Sequence, residues 1–102
     1  MTKFVYVYTG GQMAETPAAQ DQVMQAWGAW FGTLGDAVAE IGNPFGASST
    51  VSASGVTDGG SSRASGYSIV TAGSLDEAVV KTKGCPILDS GGAVEVYEAI
   101  EM

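Results

Sequence analysis

The chain has 102 residues and a mass of 10.3 kDa, which is the size of one domain (residues 1–102) with a single hydrophobic core. Four basic and eleven acidic residues leave a net charge of −7, which disfavours nucleic acid and anionic membranes as partners. With no histidine and one cysteine, Cys85, the sequence excludes disulfide frameworks, zinc fingers and histidine-based nucleophilic catalysis.

The location of the protein is predicted from what the sequence lacks. No apolar run approaches the length of a membrane span, and the first residues lack the basic-then-apolar layout of a signal peptide. We therefore expect a cytoplasmic protein with no membrane partner.

The first strand is predicted over residues 3–9, which are rich in β-branched and aromatic side chains and stop at Gly10-Gly11. Its alternation places Phe4, Tyr6 and Tyr8 on one face and Val5 and Val7 on the other. Both faces are apolar, so we expect both to be covered.

A long helix is predicted next. Thr16 is placed to cap it, and Pro17 suits the first helical position, where no N–H is needed. An apolar stripe follows at three- and four-residue steps, through Ala19, Val23, Trp27, Trp30, Leu34, Val38 and Ile41. The glycines at 28, 32 and 35 indicate either close approach of another backbone or a break near Gly35, and we expect the break. Gly42-Asn43-Pro44 ends the helix.

The segment 46–66 is rich in glycine and serine. Alternating small and hydroxylic residues predict a second strand at about 47–56, followed by a loose loop over 57–65. Gly59-Gly60 could suggest a phosphate cradle, but such loops open a helix and here a strand follows. We interpret the loop as a flexible connection.

The remaining elements complete an α+β pattern. A third strand is predicted at 66–72, and Ser74 with Glu77 forms a capping box for a second helix that runs to Lys83 and ends at Gly84. A fourth strand is predicted at 93–100. The order β-α-β-β-α-β predicts a ferredoxin-like fold with a four-stranded antiparallel sheet.

The faces of this sheet predict self-association. If Val5, Val7, Val94 and Val96 face the helices, the open face carries Phe4, Tyr6, Tyr8, Glu95 and Tyr97. Several large rings on one exposed face would make an unusually large apolar patch for a monomer. We therefore predict a two-fold homodimer with these five residues at its interface.

Several blocks of the chain resemble the YCII-related (DGPF-domain) family, and the resemblance covers nearly the whole chain. They are Trp27-Gly28-Ala29-Trp30-Phe31, Gly66-Tyr67-Ser68-Ile69-Val70, Ser74-Leu75-Asp76-Glu77-Ala78, Cys85-Pro86 and Gly91-Gly92-Ala93-Val94-Glu95-Val96. The resemblance implies a ferredoxin-like domain that pairs into a dimeric α+β barrel. The histidine–aspartate pair of some relatives is absent here, and the loop Asp58-Gly59-Gly60-Ser61 lacks the DGPF signature, so no catalytic residue is carried over.

Candidate ligand-binding residues come from the aromatic and polar side chains that a pocket beneath the first helix would use. They are Tyr8, Trp27, Trp30, Phe31, Asp36, Arg63 and Tyr67. Pockets for small molecules are mostly apolar with a few polar groups, although core packing uses the same residue types. We expect an apolar or carbonyl-bearing metabolite and no metal or cofactor, since the carboxylates do not converge. Cys85 is expected to be a buried, unreactive thiol.

Two other functions remain open. A cofactor-independent enzyme would need Tyr67, Asp36 or Glu95 to move protons, with a raised carboxyl pKa as the sign. A structural or interaction module would use the net negative charge to favour a basic protein partner.

Overall fold

The structure is a computed structural model of the chain and describes residues 1–11, 15–59 and 63–101. The described helices are α1 (Pro17–Leu34), α2 (Leu75–Val80) and α3 (Pro86–Asp89), and a 3₁₀ turn covers Gly35–Ala37. The strands are β1 (Thr2–Thr9), β2 (Val38–Glu40), β3 (Ser49–Ser52), β4 (Gly55–Asp58), β5 (Ala64–Ala72) and β6 (Ala93–Glu98). Among these residues no helix is long and apolar enough to cross a membrane.

Four of the strands form one antiparallel sheet in the order β2-β5-β1-β6, and β3 and β4 form a separate hairpin. The chain is therefore an α+β protein, and its main sheet is compatible with a ferredoxin-like fold. The long strands β1 and β5 lie at the centre of the sheet, so they set the position of the core.

The second strand of the sheet is not the predicted one. Residues 38–40 pair with β5 as a short edge strand, although their apolar spacing predicted the end of the first helix. Residues 49–58, predicted as a sheet strand and the start of a loop, instead pair with each other. The valines of this hairpin, Val51 and Val56, are exposed. Part of the predicted loop, residues 60–62, lies outside the described residues.

Local signals located the helix starts correctly, but the first helix ends at Leu34 and not at Gly42-Asn43-Pro44. The N–H of Ala19 donates to the Thr16 hydroxyl at 3.1 Å, and that of Glu77 donates to the Ser74 hydroxyl at 3.1 Å. The break expected near Gly35 is present, since Gly35 has a φ of +55° and α1 ends before it. The second helix is shorter than predicted, because residues 81–84 form turns that end at Gly84, where φ is +87°.

The prediction for the faces of β1 was wrong. Phe4, Tyr6 and Tyr8 are buried beneath the helices, with at most 6% of each side chain exposed. They share one hydrophobic core with Trp30 of α1, Ala78 of α2 and Ile87 of α3. Three rings remove more apolar area from water than two valines do, so the larger side chains face the core.

The neighbouring strand explains how the rings fit. In β5, small residues lie opposite them: Gly66 is paired with Tyr8, Ser68 with Tyr6 and Val70 with Phe4. Trp30 packs on this group of rings and stacks on Tyr6, with ring centroids 6.1 Å apart. The Tyr6 hydroxyl donates to the backbone carbonyl of Ala78, and the indole N–H of Trp30 donates to that of Lys81 at 3.2 Å.

The opposite face of the sheet carries the valines. Val5 lies between Ile69 and Tyr97, and Val7 lies between Tyr67 and Glu95. Glu95 and Tyr97 are therefore on this open face as predicted, whereas Phe4, Tyr6 and Tyr8 are not. Val5, Val7, Tyr67 and Ile69 are half-buried and Tyr97 is 53% exposed. The open face is thus apolar at its centre even though the rings of β1 point away from it.

Substitution of two glycines tests the close backbone contact between the segment after β2 and strand β5. Gly42 has a φ of +79°, and a Cβ there would lie 1.9 Å from the Tyr67 carbonyl oxygen, whereas a Cβ at Gly28 in α1 meets nothing within 4 Å. We predict that Gly42→Ala lowers the free energy of unfolding by about 2 kcal/mol or more, because strain and a backbone clash add. The control Gly28→Ala should raise it by about 0.5–1 kcal/mol. Urea unfolding measures both, and equal effects of the two substitutions would contradict the structure.

Candidate functional site

A cavity of about 360 Å³ lies beside the aromatic core, between α1 and the edge of the sheet. One wall is formed by four apolar residues of α1, namely Val23, Met24, Trp27 and Phe31. The opposite wall is formed by residues 41–44 and by residues 65–68 of β5. Tyr8 and Ile87 complete the lining. Of the described residues that line the cavity, none carries a charge.

The wall formed by residues 41–44 is held against β5 by the backbone. The N–H of Tyr67 donates to the Asn43 carbonyl at 3.2 Å, and the N–H of Phe45 donates to the Ser65 carbonyl at 2.8 Å. The ring of Phe45 stacks on that of Tyr67, with centroids 5.8 Å apart. The close approach at Gly42 lets this segment lie directly on β5, so the cavity has a fixed wall there.

A chain of hydrogen bonds forms the polar part of the cavity lining. The Tyr8 hydroxyl lies 2.8 Å from that of Ser68, which in turn bonds to the backbone carbonyl of Ile41. A carbonyl only accepts, so Ser68 must donate to Ile41 and must accept from Tyr8. The direction of both bonds is therefore fixed.

Ser65 and Tyr67 also line the cavity and also donate within the protein, but the Tyr67 side chain lies on the open face of the sheet. Ser65 donates to the Tyr8 backbone carbonyl at 3.1 Å, and Tyr67 donates to a carboxylate oxygen of Glu40 at 2.6 Å. Trp27 packs edge-on against Tyr8, with centroids 4.9 Å apart. Its indole N–H has no hydrogen-bond partner within the ranges that the structure describes.

Burial and hydrogen bonding hold three tyrosines and the Cys85 thiol in their neutral forms. Burial raises the pKa of Tyr8 far above its ordinary value of 10.0, and this outweighs the opposite effect of the Ser68 hydrogen bond. The hydrogen bond to Glu40 raises the pKa of Tyr67. Burial raises the pKa of Tyr6 to about 12 and that of the Cys85 thiol to about 11. These shifts favour protonated groups at neutral pH, and Cys85 is buried as expected.

The structure brings together four of the seven predicted ligand-binding residues. Tyr8, Trp27, Phe31 and Tyr67 line the cavity. Trp30, Asp36 and Arg63 do not line it. Trp30 is a core residue that is only 4% exposed, while Asp36 in the 3₁₀ turn and Arg63 before β5 are exposed.

Several lining residues were missed by sequence reasoning. Ile41 to Pro44 were assigned only to the end of a helix, and Ser68 was treated as an ordinary strand residue. A signal for Ser68 was present, since a hydroxyl on the small-residue face of a buried strand needs a partner and Tyr8 lies on the neighbouring strand. Val23 and Met24 belonged to the predicted helix but carried no polar group to single them out.

The residues suggested for proton transfer are not brought together. Tyr67 and Glu95 pair with Val7 from opposite sides, so two strand spacings separate them, about 10 Å. Tyr67 instead bonds to Glu40. Within the described ranges, no group of three or more cysteine and acidic side chains is placed to hold a metal ion.

A second hollow of about 440 Å³ adjoins the cavity. It lies between α1 and α3 and shares Val23, Trp27 and Ile87 with the first. Gly10 and Gly11 of the chain after β1 form part of its lining. Trp27 therefore contributes to both spaces.

Comparison with known proteins gave no relative: no family model, no curated protein and no solved structure matches the chain.

Proposed function

We propose that this protein binds a small, uncharged and mainly apolar molecule in the cavity beneath α1. The volume of about 360 Å³ lies in the range of small-molecule sites, and the lining combines aromatic and aliphatic side chains with a few hydroxyls, as such sites do. The observation that carries the proposal is the open space itself. Trp30 is buried in the core, whereas Trp27, one turn earlier, borders an open volume.

The chemistry of the lining supports an uncharged ligand. A charged ligand would leave water for an apolar cavity that offers no opposite charge among its described residues, and such burial is costly. The net charge of −7 further disfavours anions. A neutral molecule loses little hydration there and gains contact with Trp27, Phe31 and Met24.

We further propose that the protein is a homodimer and that the open face of the sheet is its interface. The strands of an antiparallel sheet usually place polar residues on a face that contacts water. The centre of this open face is instead formed by Val5, Val7 and Ile69. The charged residues of the open face are Lys3, Glu40 and Glu95. One basic and two acidic groups give this face a net charge of −1. A nearly neutral apolar patch is the part of a strongly acidic protein where two copies repel least.

The order of the strands and helices along the chain supports the family resemblance seen in the sequence. In chain order the strands of the main sheet are β1, β2, β5 and β6, and two helical segments connect β1 to β2 and β5 to β6. That is the split β-α-β order of the ferredoxin-like fold with a hairpin inserted before β5. Membership of the YCII-related family and pairing into a dimeric α+β barrel are consistent with this order.

Filling the cavity should abolish binding. Val23 lines the cavity and is 43% exposed, so Val23→Trp places an indole in the open volume without burying a clash. The control is Val79→Trp on α2, a site that is 47% exposed and does not line the cavity. In a thermal-shift screen of uncharged aromatic and aliphatic metabolites, compounds that raise the melting temperature of the wild type should lose that effect in Val23→Trp and keep it in Val79→Trp. A screen without any stabilising compound would contradict the proposal.

A charge at the centre of the open face should separate the two copies. We predict that the wild type sediments at micromolar concentration with twice the chain mass of 10.3 kDa, and that Val7→Glu sediments as the single chain. Val80→Glu on α2 adds the same charge at a site that is 58% exposed, and it should leave the dimer intact. A wild type that sediments at the single-chain mass would refute the dimer.

A further inference from the structure

The hydroxyls that line the cavity determine what kind of polar group a ligand needs. Four of the described lining residues carry a hydroxyl: Tyr8, Ser65, Tyr67 and Ser68. Each hydroxyl has one hydrogen and two lone pairs. All four hydrogens are donated inside the protein, to Ser68, to the Tyr8 carbonyl, to Glu40 and to the Ile41 carbonyl respectively.

The Tyr8 hydroxyl therefore offers the cavity only an acceptor, and Ser68 itself is fully buried. Ser68 cannot turn its hydrogen towards a ligand without leaving the Ile41 carbonyl, and Tyr8 cannot turn its own hydrogen without breaking its buried bond to Ser68. Breaking a buried bond of this kind costs more than a neutral hydrogen bond to a ligand returns. The oxygen of Tyr8 keeps lone pairs for a partner.

We infer that the ligand of this cavity carries a hydrogen-bond donor, a hydroxyl or an N–H, on an otherwise apolar and uncharged frame. This inference rests on the proposed function and replaces the carbonyl group expected from the sequence. A carbonyl would set its lone pairs against those of the Tyr8 oxygen and would lose its hydrogen bonds to water without replacement there. A hydroxyl or N–H of the ligand can instead donate a hydrogen bond to the Tyr8 oxygen.

Two other donors lie near the cavity and must be separated from this effect. The side-chain amide of Asn43, a residue of the lining, is exposed. The Trp27 indole N–H has no hydrogen-bond partner in the described ranges, so a Trp27→Phe variant removes it from the comparison. The preference for a donor ligand is expected to persist in that variant.

The test uses four probes of one shape: 2-naphthol, 2-methoxynaphthalene, 2-naphthaldehyde and 2-naphthoate. Titration calorimetry on the wild type should give a dissociation constant for 2-naphthol about tenfold lower than for the methoxy compound and the aldehyde, the size of one neutral hydrogen bond. The naphthoate should bind most weakly. If none of the four binds, the proposed function is overturned together with this inference. If the aldehyde binds as tightly as the naphthol, only the inference is overturned.

Substitution of Ser68 tests the inference more specifically than the wild-type series does. In Ser68→Ala the Tyr8 hydroxyl loses its acceptor and becomes free to donate, so the aldehyde should gain affinity and the tenfold preference for the naphthol should disappear. Ser52→Ala removes a hydroxyl of the β3–β4 hairpin that does not line the cavity, and it should leave the preference unchanged. A preference that survives Ser68→Ala, or one that is lost in Trp27→Phe, overturns the inference. If Ser68→Ala does not fold, as far-ultraviolet circular dichroism would show, the wild-type series alone decides the question.

Discussion

The buried tyrosines of β1 impose the constraint on which the rest of the structure depends. A phenol taken out of water must keep a hydrogen bond, and burial of three consecutive inward rings needs a cover of matching size. The Tyr6 hydroxyl keeps its hydrogen bond by donating to the Ala78 carbonyl, and this bond connects the sheet to α2. Tyr8 meets the same requirement at Ser68, and so ties β1 to β5 and the Ile41 carbonyl. Trp30 supplies the cover and is itself held by Lys81.

This arrangement explains both the cavity and the open face. Because the rings occupy the helix side, the valines are left on the other side of the sheet, where no helix of the described ranges covers Val5 and Val7. Because small residues face the rings along β5, space remains beside Tyr8, and the segment after β2 closes around it. The hydroxyl hydrogens of Tyr8 and Ser68 are both donated within this hydrogen-bonded chain. One requirement, the partner of a buried phenol, therefore shapes the fold and the chemistry of the site together.

The sequence predicted those features that depend on near neighbours. The caps at Thr16 and Ser74 and the break at Gly35 each involve residues within one helical turn, so their signals are local. The face of β1 was not predictable from alternation, because both sets of side chains are apolar and only the small residues of β5 decide between them. Residues 38–40 fit a helical stripe equally well, and pairing with β5 overrides that pattern. Trp27 and Trp30 have the same helical signal, and packing alone makes one a lining residue and the other core.

Oxidative footprinting of side chains, read by mass spectrometry, tests the central claim most directly. Hydroxyl radicals modify tyrosines in proportion to their exposure, so the two sides of the sheet give separate readings. The account predicts that Tyr6 and Tyr8 stay unmodified in the native protein and react only after unfolding, whereas Tyr97 reacts in the monomeric Val7→Glu variant. Oxidation of Tyr6 and Tyr8 in the folded variant at the rate of Tyr97 would mean that the rings face outward, and the account of the fold and of the cavity would be wrong.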